Sequence, residues 1–290
     1  MRRPEVKHKP SAVPYLLLSV SRQRPAGSAG EEVDVLRSRR TGPDMSSFTT
    51  AADRTVPGGG EEGDMDQAYR PGQYPDPMIR AVNFDVGETI VRDDRYWASW
   101  ADWLNVPRHT LSALVGAVVA QGRDNADALR LVRPGIDVAA EYRAREAAGR
   151  GERLDDSDLY DDVRPALAEL RQLGVRVVIA GNQTARAGEL LRTLDLPADV
   201  IATSGEWGVA KPRREFFQRA VEAGQAALGE TLYVGDHPAN DTLPAAAAGL
   251  RTAHLRRGPW GHLWATDPDV AATADWQIDS LTELPALVTQ

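Results

Sequence analysis

From Ile79 onward, short apolar runs alternate with amphipathic stretches, a pattern that predicts β-α units building a parallel sheet. The runs at 80–84, 175–180, 199–203, 231–234 and 251–255 read as strands. Between them, 185–194, 213–224 and 241–248 carry apolar residues at helical spacing. A last strand near 276–278 and a helix from Leu281 close the pattern. The predicted fold class is α/β, a Rossmann-like parallel sheet core.

One interval breaks the rhythm. About ninety residues separate the first strand from the second, far more than a crossover needs. Trp97, Trp100, Ala101 and Leu104 fall at i, i+3, i+4 and i+7, and Leu111, Leu114, Val115, Val118 and Val119 repeat the spacing on a second helix. The interval therefore reads as an inserted α-helical domain over 90–159, the core being 78–89 and 160–290. Most of its apolar residues are expected to form its own core, with Trp97 and Trp100 as candidates to face a substrate.

Composition separates the first 77 residues from the rest. They hold 9 of the 19 Pro and 8 of the 25 Gly, with no helical or strand period, so they are expected to form a disordered arm. Arg2, Arg3, Lys7 and Lys9 precede a short apolar run at 12–20, but Pro14, Ser19 and the following Arg22 and Arg24 make it a poor leader and too short a span to cross a bilayer. The expectation is a cytoplasmic protein whose folded part starts at Met78, which is itself a candidate for the true start. Charges cancel in the arm, so the whole net charge of −8 belongs to 78–290. An acidic balance argues against nucleic acid and anionic membranes as partners. The chain has no cysteine, which removes disulfides, thiolate metal sites and a Cys nucleophile. Composition does not bear on oligomeric state.

Ligands of an open parallel sheet bind beyond the carboxyl ends of its strands. There the chain places Asp85-Val86-Gly87-Glu88-Thr89, Gly181-Asn182, Lys211-Pro212, and Gly235-Asp236 with Asp241 just after. The three aspartates and one ammonium suit a hard cation and an anionic substrate. Lys211 stands out because 78–290 contains 22 Arg and this single Lys, which suggests that a compact ammonium is wanted there. The order and spacing of these motifs resemble the haloacid dehalogenase superfamily, mostly magnesium-dependent phosphatases, over about residues 79–290.

The resemblance implies Asp85 as nucleophile, Lys211 as its cationic partner, and Mg²⁺ held by Asp85, the Gly87 carbonyl, Asp236 and Asp241. It also implies a small phosphorylated substrate met by Thr89, Gly181 and Asn182, and makes the helical insert a cap over the site. Two positions depart from the family. Gly87 stands where the second Asp of the first motif acts as general acid, so the leaving oxygen is expected to depart unprotonated or to take its proton from water. Gly181 stands where Ser or Thr normally meets the phosphoryl group, and Asn182, Thr184 or backbone N–H groups are the expected substitutes. Glu88 is expected to be a solvated turn residue and His237 a bystander. The alternatives are a haloacid dehalogenase-type hydrolase using the same Asp nucleophile, and a weak or inactive binder of a phosphorylated ligand. The phosphonatases of this superfamily use a cap-domain Lys as a Schiff base, and the absence of Lys from 90–174 argues against that chemistry. No His-Glu-x-x-His pattern, Gly-x-x-x-x-Gly-Lys loop or Gly-x-Ser-x-Gly elbow occurs.

Overall fold

Strands buried on both faces must be largely apolar, and the central strands are so apart from the buried Asn83 and Thr231. A computed structural model describes residues 78–289; the arm expected over 1–77 lies outside the described residues. The strands are β1 Ala81–Phe84, β2 Arg176–Gly181, β3 Val200–Thr203, β4 Thr231–Gly235, β5 Arg251–Leu255 and β6 Trp276–Ile278. They form one parallel sheet in the order β3-β2-β1-β4-β5-β6. Val82 of β1 pairs with Val177 on one side and Leu232 on the other, so β1 is flanked by the two strands that carry the other site motifs.

Alternate side chains of these strands enter two layers. On one face Phe84, Val177, Ile179 and Val234 pack with α5 (Val163–Gln172), α6 (Ala185–Thr193) and α12 (Leu284–Val288). On the other, Val178, Ala180 and Tyr233 meet Phe216 and Phe217 of α8 (Arg214–Gly224) and Ala245 and Ala248 of α9 (Leu243–Ala248). Thr184 caps α6, its hydroxyl accepting from Ala187 N–H at 3.0 Å, and Gly249 ends α9 at φ 97°. The short α7 (Ser204–Trp207) follows β3. Among the described residues, no helix is long and apolar enough to cross a membrane.

Between β1 and α5 come α1 (Asp94–Leu104), α2 (Arg108–Val119), α3 (Asp127–Val132) and α4 (Val138–Ala147), which share an apolar cluster of their own. Trp97 and Trp100 lie in that cluster and do not line the cavity described below, contrary to the expectation that they face a substrate. Trp100 is fully buried with the Arg145 guanidinium 4.2 Å from its ring. The segments entering and leaving this helical part run side by side, with Tyr160 N–H donating to Ile90 O at 3.2 Å and Arg92 N–H to Asp158 O at 2.7 Å. That pairing holds the start of α1 beside the end of β1. After β5, α10 (Gly258–Trp264) and α11 (Pro268–Thr273) precede β6. Trp260 and Trp264 of α10 reach into the cluster of the helical insert, donating to Asn125 Oδ1 at 2.8 Å and to Val119 O at 3.1 Å.

Candidate active site

The parallel register of β1, β2 and β4 brings their carboxyl ends level, so residues far apart in sequence meet at one edge. Asp85, Asp236 and Asp241 are all buried, and each offers an oxygen within 4.8 Å of the others. Lys211 Nζ lies 2.5 Å from Asp85 Oδ1 and 2.6 Å from Asp241 Oδ1, its side chain 2% exposed. Asn182 fixes the lysine: its Oδ1 accepts from Lys211 N–H at 2.8 Å and its Nδ2 donates to Lys211 O at 3.0 Å. The second oxygen of Asp241 accepts from His237 N–H at 3.0 Å.

Two glycines make room for these carboxylates. A Cβ on Gly181 would lie 2.6 Å from Asp85 Oδ1 and 2.9 Å from Val86 Cγ2. One on Gly235 would lie 2.4 Å from Asp241 Oδ2. Gly181 thus gives up a hydroxyl that could meet a substrate because Asp85 occupies the space above its Cα.

Burial together with Asp241 and Asp85 raises the proton affinity of Asp236 well above the ordinary carboxyl value. Burial and Asp85 push Asp241 up to about 7, against the pull of Lys211. Burial alone would lower Lys211, but the carboxylates of Asp241 and Asp85 outweigh it and hold the ammonium charged. One ammonium against three close carboxylates leaves uncompensated negative charge on hard oxygen donors, and such a set fits a divalent cation of the magnesium type.

A cavity opens above Asp85, Lys211 and Asp236 and is walled on the insert side by Tyr96, Glu152 and Arg153. His237 stacks on Trp260 with ring centroids 3.8 Å apart. Its Nδ1 accepts from Asn240 N–H at 3.3 Å, and burial followed by Lys211 pushes its pKa down to about 3, so the imidazole is neutral. Glu88 is no solvated turn residue. At φ 52° it turns its carboxylate into the site, where the Tyr160 hydroxyl donates to one oxygen and Asp93 N–H to the other at 3.1 Å. Arg257 lies over the Tyr160 ring at 4.0 Å and pairs with Asp162 at 2.5 Å, bracing that side.

Of the residues expected from sequence, Asp85, Gly87, Asn182, Lys211 and Asp236 line the cavity, and Asp241 lies beneath Lys211. Thr89 does not line it: the residue is fully buried, its hydroxyl has no partner among the described residues, and its carbonyl accepts from Arg257 at 2.8 Å. Asn182 faces the cavity with its amide bonded to the Lys211 backbone. Asp93 was not legible as a site residue. Its carboxylate faces the cavity from the start of α1, and burial, then Glu88, raise its proton affinity well above the ordinary value.

Comparison with known proteins follows the same lines. A family model for haloacid dehalogenase-like hydrolases matches residues 79–249, more than half of the chain. The chain is 31% identical over 132 residues to a glyceraldehyde 3-phosphate phosphatase of Methanocaldococcus jannaschii, covering 44% of this chain and 56% of that protein. It is 33% identical over 144 residues to a ribulose-1,5-bisphosphate 5-phosphatase of Halopiger xanaduensis, covering 47% and 59%. The chain thus spans little more than half the length of the curated relatives it matches. In fold it is similar to the HAD-hydrolase YfnB of Bacillus subtilis, solved bound to magnesium, at a TM-score of 0.54 and 21% identity over 73% of this chain and 100% of that one.

Proposed function

The chain belongs to the haloacid dehalogenase-like hydrolases, and from that premise we propose that it is a magnesium-dependent phosphohydrolase of a small phosphorylated metabolite, acting through an aspartyl-phosphate on Asp85. The observation that carries this reading is Lys211 Nζ set between Asp85 and Asp241 beside Asp236, under a cavity. Relatives named as phosphatases of glyceraldehyde 3-phosphate and of ribulose-1,5-bisphosphate support a small phosphate ester as substrate.

In this reading Asp85 attacks phosphorus in line, and the electron pair of the breaking P–O bond leaves on the alcohol oxygen. Water then attacks the aspartyl-phosphate and returns the carboxylate. Lys211 balances the charge that accumulates between the attacking carboxylate and the phosphoryl oxygens. Asn182 keeps the ammonium in register by holding the Lys211 backbone at two points. Bound Mg²⁺, held by Asp85, Asp236, Asp241 and the Gly87 carbonyl, would neutralise the phosphoryl oxygens. The helical part over 90–159 acts as the cap, its Tyr96, Glu152 and Arg153 shaping the pocket and keeping out water.

The test is hydrolysis of a panel of phosphorylated metabolites and 2-haloacids, with Mg²⁺ and with EDTA. Phosphate release that requires Mg²⁺ is expected. Metal-independent halide release would replace the reading with a dehalogenase, and binding of phosphorylated ligands without turnover would replace it with a binder.

A further inference from the structure

We propose that Asp93 protonates the leaving oxygen, in the place of the carboxyl side chain that position 87 lacks. The inference rests on the phosphatase reading above. Its first ground is position. A Cβ on Gly87 would lie 3.5 and 3.8 Å from the two Asp93 oxygens, so the Asp93 carboxylate stands in the space that a side chain at 87 would enter. Gly87 and Asp93 both line the cavity above Asp85.

The second ground is what Asp93 does not do. It stands at the N-cap of α1, where an aspartate ordinarily accepts from the first turn, yet its side chain makes no capping bond. The carboxylate points into the cavity instead. Its backbone N–H is anchored on Glu88 Oε1, and the paired segments around Ile90 and Tyr160 fix the entry to α1.

The third ground is that three other candidate donors in the cavity are engaged. The Lys211 ammonium bridges two carboxylates. His237 Nδ1 accepts from Asn240 N–H and its ring lies flat on Trp260. Both Glu88 oxygens are taken up, accepting from the Tyr160 hydroxyl and from Asp93 N–H. The charged groups facing Asp93 are the carboxylates of Glu88, Asp85 and Asp94, while neighbouring Arg92 pairs with Asp161 at 2.7 Å.

The step balances. As Asp85 forms its bond to phosphorus, the P–O bond to the alcohol breaks, its electron pair goes to that oxygen, and the Asp93 proton joins it to release the neutral alcohol. Asp93, now a carboxylate, takes a proton from the water that attacks the aspartyl-phosphate. The pair of the broken P–O bond returns to Asp85, and inorganic phosphate leaves with both residues restored.

The experiment compares kcat/KM for an alkyl phosphate and for p-nitrophenyl phosphate, with Mg²⁺, in wild type, Asp93→Asn and the double variant Gly87→Asp/Asp93→Asn. General acid catalysis is worth about 10²–10⁴-fold. Asp93→Asn is expected to lose that much on the alkyl ester, at least about tenfold less on the aryl ester whose leaving group needs no proton, and to lose the alkaline limb of the pH profile for the alkyl ester. Gly87→Asp, whose Cβ meets only ordinary contacts, is expected to restore much of the alkyl rate. Thermal unfolding of each variant separates a folding defect from a chemical one. Equal losses on both esters, or no loss on either, with wild type active would overturn the role of Asp93 and leave the phosphatase reading standing. A wild type that hydrolyses neither ester would overturn both.

Discussion

Gly181→Ala puts the geometry of the proposed nucleophile, Asp85, to a quantitative test. The added Cβ would lie 2.6 Å from Asp85 Oδ1, 2.9 Å from Val86 Cγ2 and 3.1 Å from Val86 Cβ, where ordinary contact begins near 3.4 Å. Asp85 must therefore retreat by about 0.8 Å, or β2 and Val86 must part. Val86 is branched and buried, so the carboxylate is the group that moves, and the atom displaced is the one bonded to Lys211. A misplacement of about 1 Å costs on the order of 10²-fold in rate. Overpacking costs about 1–3 kcal/mol, which in a domain of this size lowers Tm by roughly 2–12 °C at about 2–4 °C per kcal/mol. The assay is kcat/KM for p-nitrophenyl phosphate with Mg²⁺, read beside thermal unfolding. Gly181→Ser, which restores the family's residue, is expected to behave no better, because its Cβ meets the same atoms. Gly116→Ala is the control: nothing lies within 4 Å of its Cβ, and it stands inside α2, so it is expected to stabilise by about 0.5–1 kcal/mol without touching activity. A Gly181→Ala protein with wild-type rate and Tm would refute the claim that Asp85 fills that space.

Three further outcomes follow from the same geometry. Lys211→Met leaves Asp85 and Asp241 buried without their cation and is expected to destabilise the metal-free protein by about 3–5 kcal/mol, read as Tm in EDTA, with added Mg²⁺ recovering part of the loss. Asn182→Ala removes two buried bonds to the Lys211 backbone and is expected to lower both Tm and kcat/KM, at about 1 kcal/mol of stability per bond; unchanged kinetics would show that Lys211 needs no such anchor. Asp236 holds its proton more tightly folded than unfolded, so its contribution is most favourable below pH 4 and falls as pH rises toward the folded value. The Tm of Asp236→Asn in EDTA is therefore expected to gain on wild type from pH 5 to pH 8, and a variant that loses ground to wild type as pH rises would contradict the sign.

Much of the architecture could be read from the chain because it rests on short-range pattern. β1 is apolar at every buried position apart from Asn83, and β4 reads likewise after Thr231, so strand ends, and with them Asp85, Asp236 and the turn to Asp241, follow from the topology of a parallel sheet. What could not be read depends on contacts between distant elements. Helical spacing marks Trp97 and Trp100 as one face of α1 but does not say whether that face meets a substrate or the insert's own core. The Asn182 amide looks free in sequence because its partner is the backbone of Lys211, 29 residues on. Asp93 looks like a helix cap, and only the pairing of the segments around Ile90 and Tyr160 turns it toward Gly87. Trp260 and Trp264 sit on a seven-residue helix, too short for its period to show that they enter a cluster on the far side of the cavity.

The central claim is that Asp85 carries the phosphoryl group in turnover. It is tested most directly by mixing enzyme, Mg²⁺ and a phosphate ester, quenching in acid during the steady state, and mapping covalent phosphate by mass spectrometry in wild type and Asp85→Asn. A phosphate-sized increment on the wild-type peptide that holds Asp85, absent without Mg²⁺ and absent from an inactive but folded Asp85→Asn, is the predicted result. An Asp85→Asn protein that still hydrolyses the ester at the wild-type rate, or a phosphate found on another residue, would contradict it.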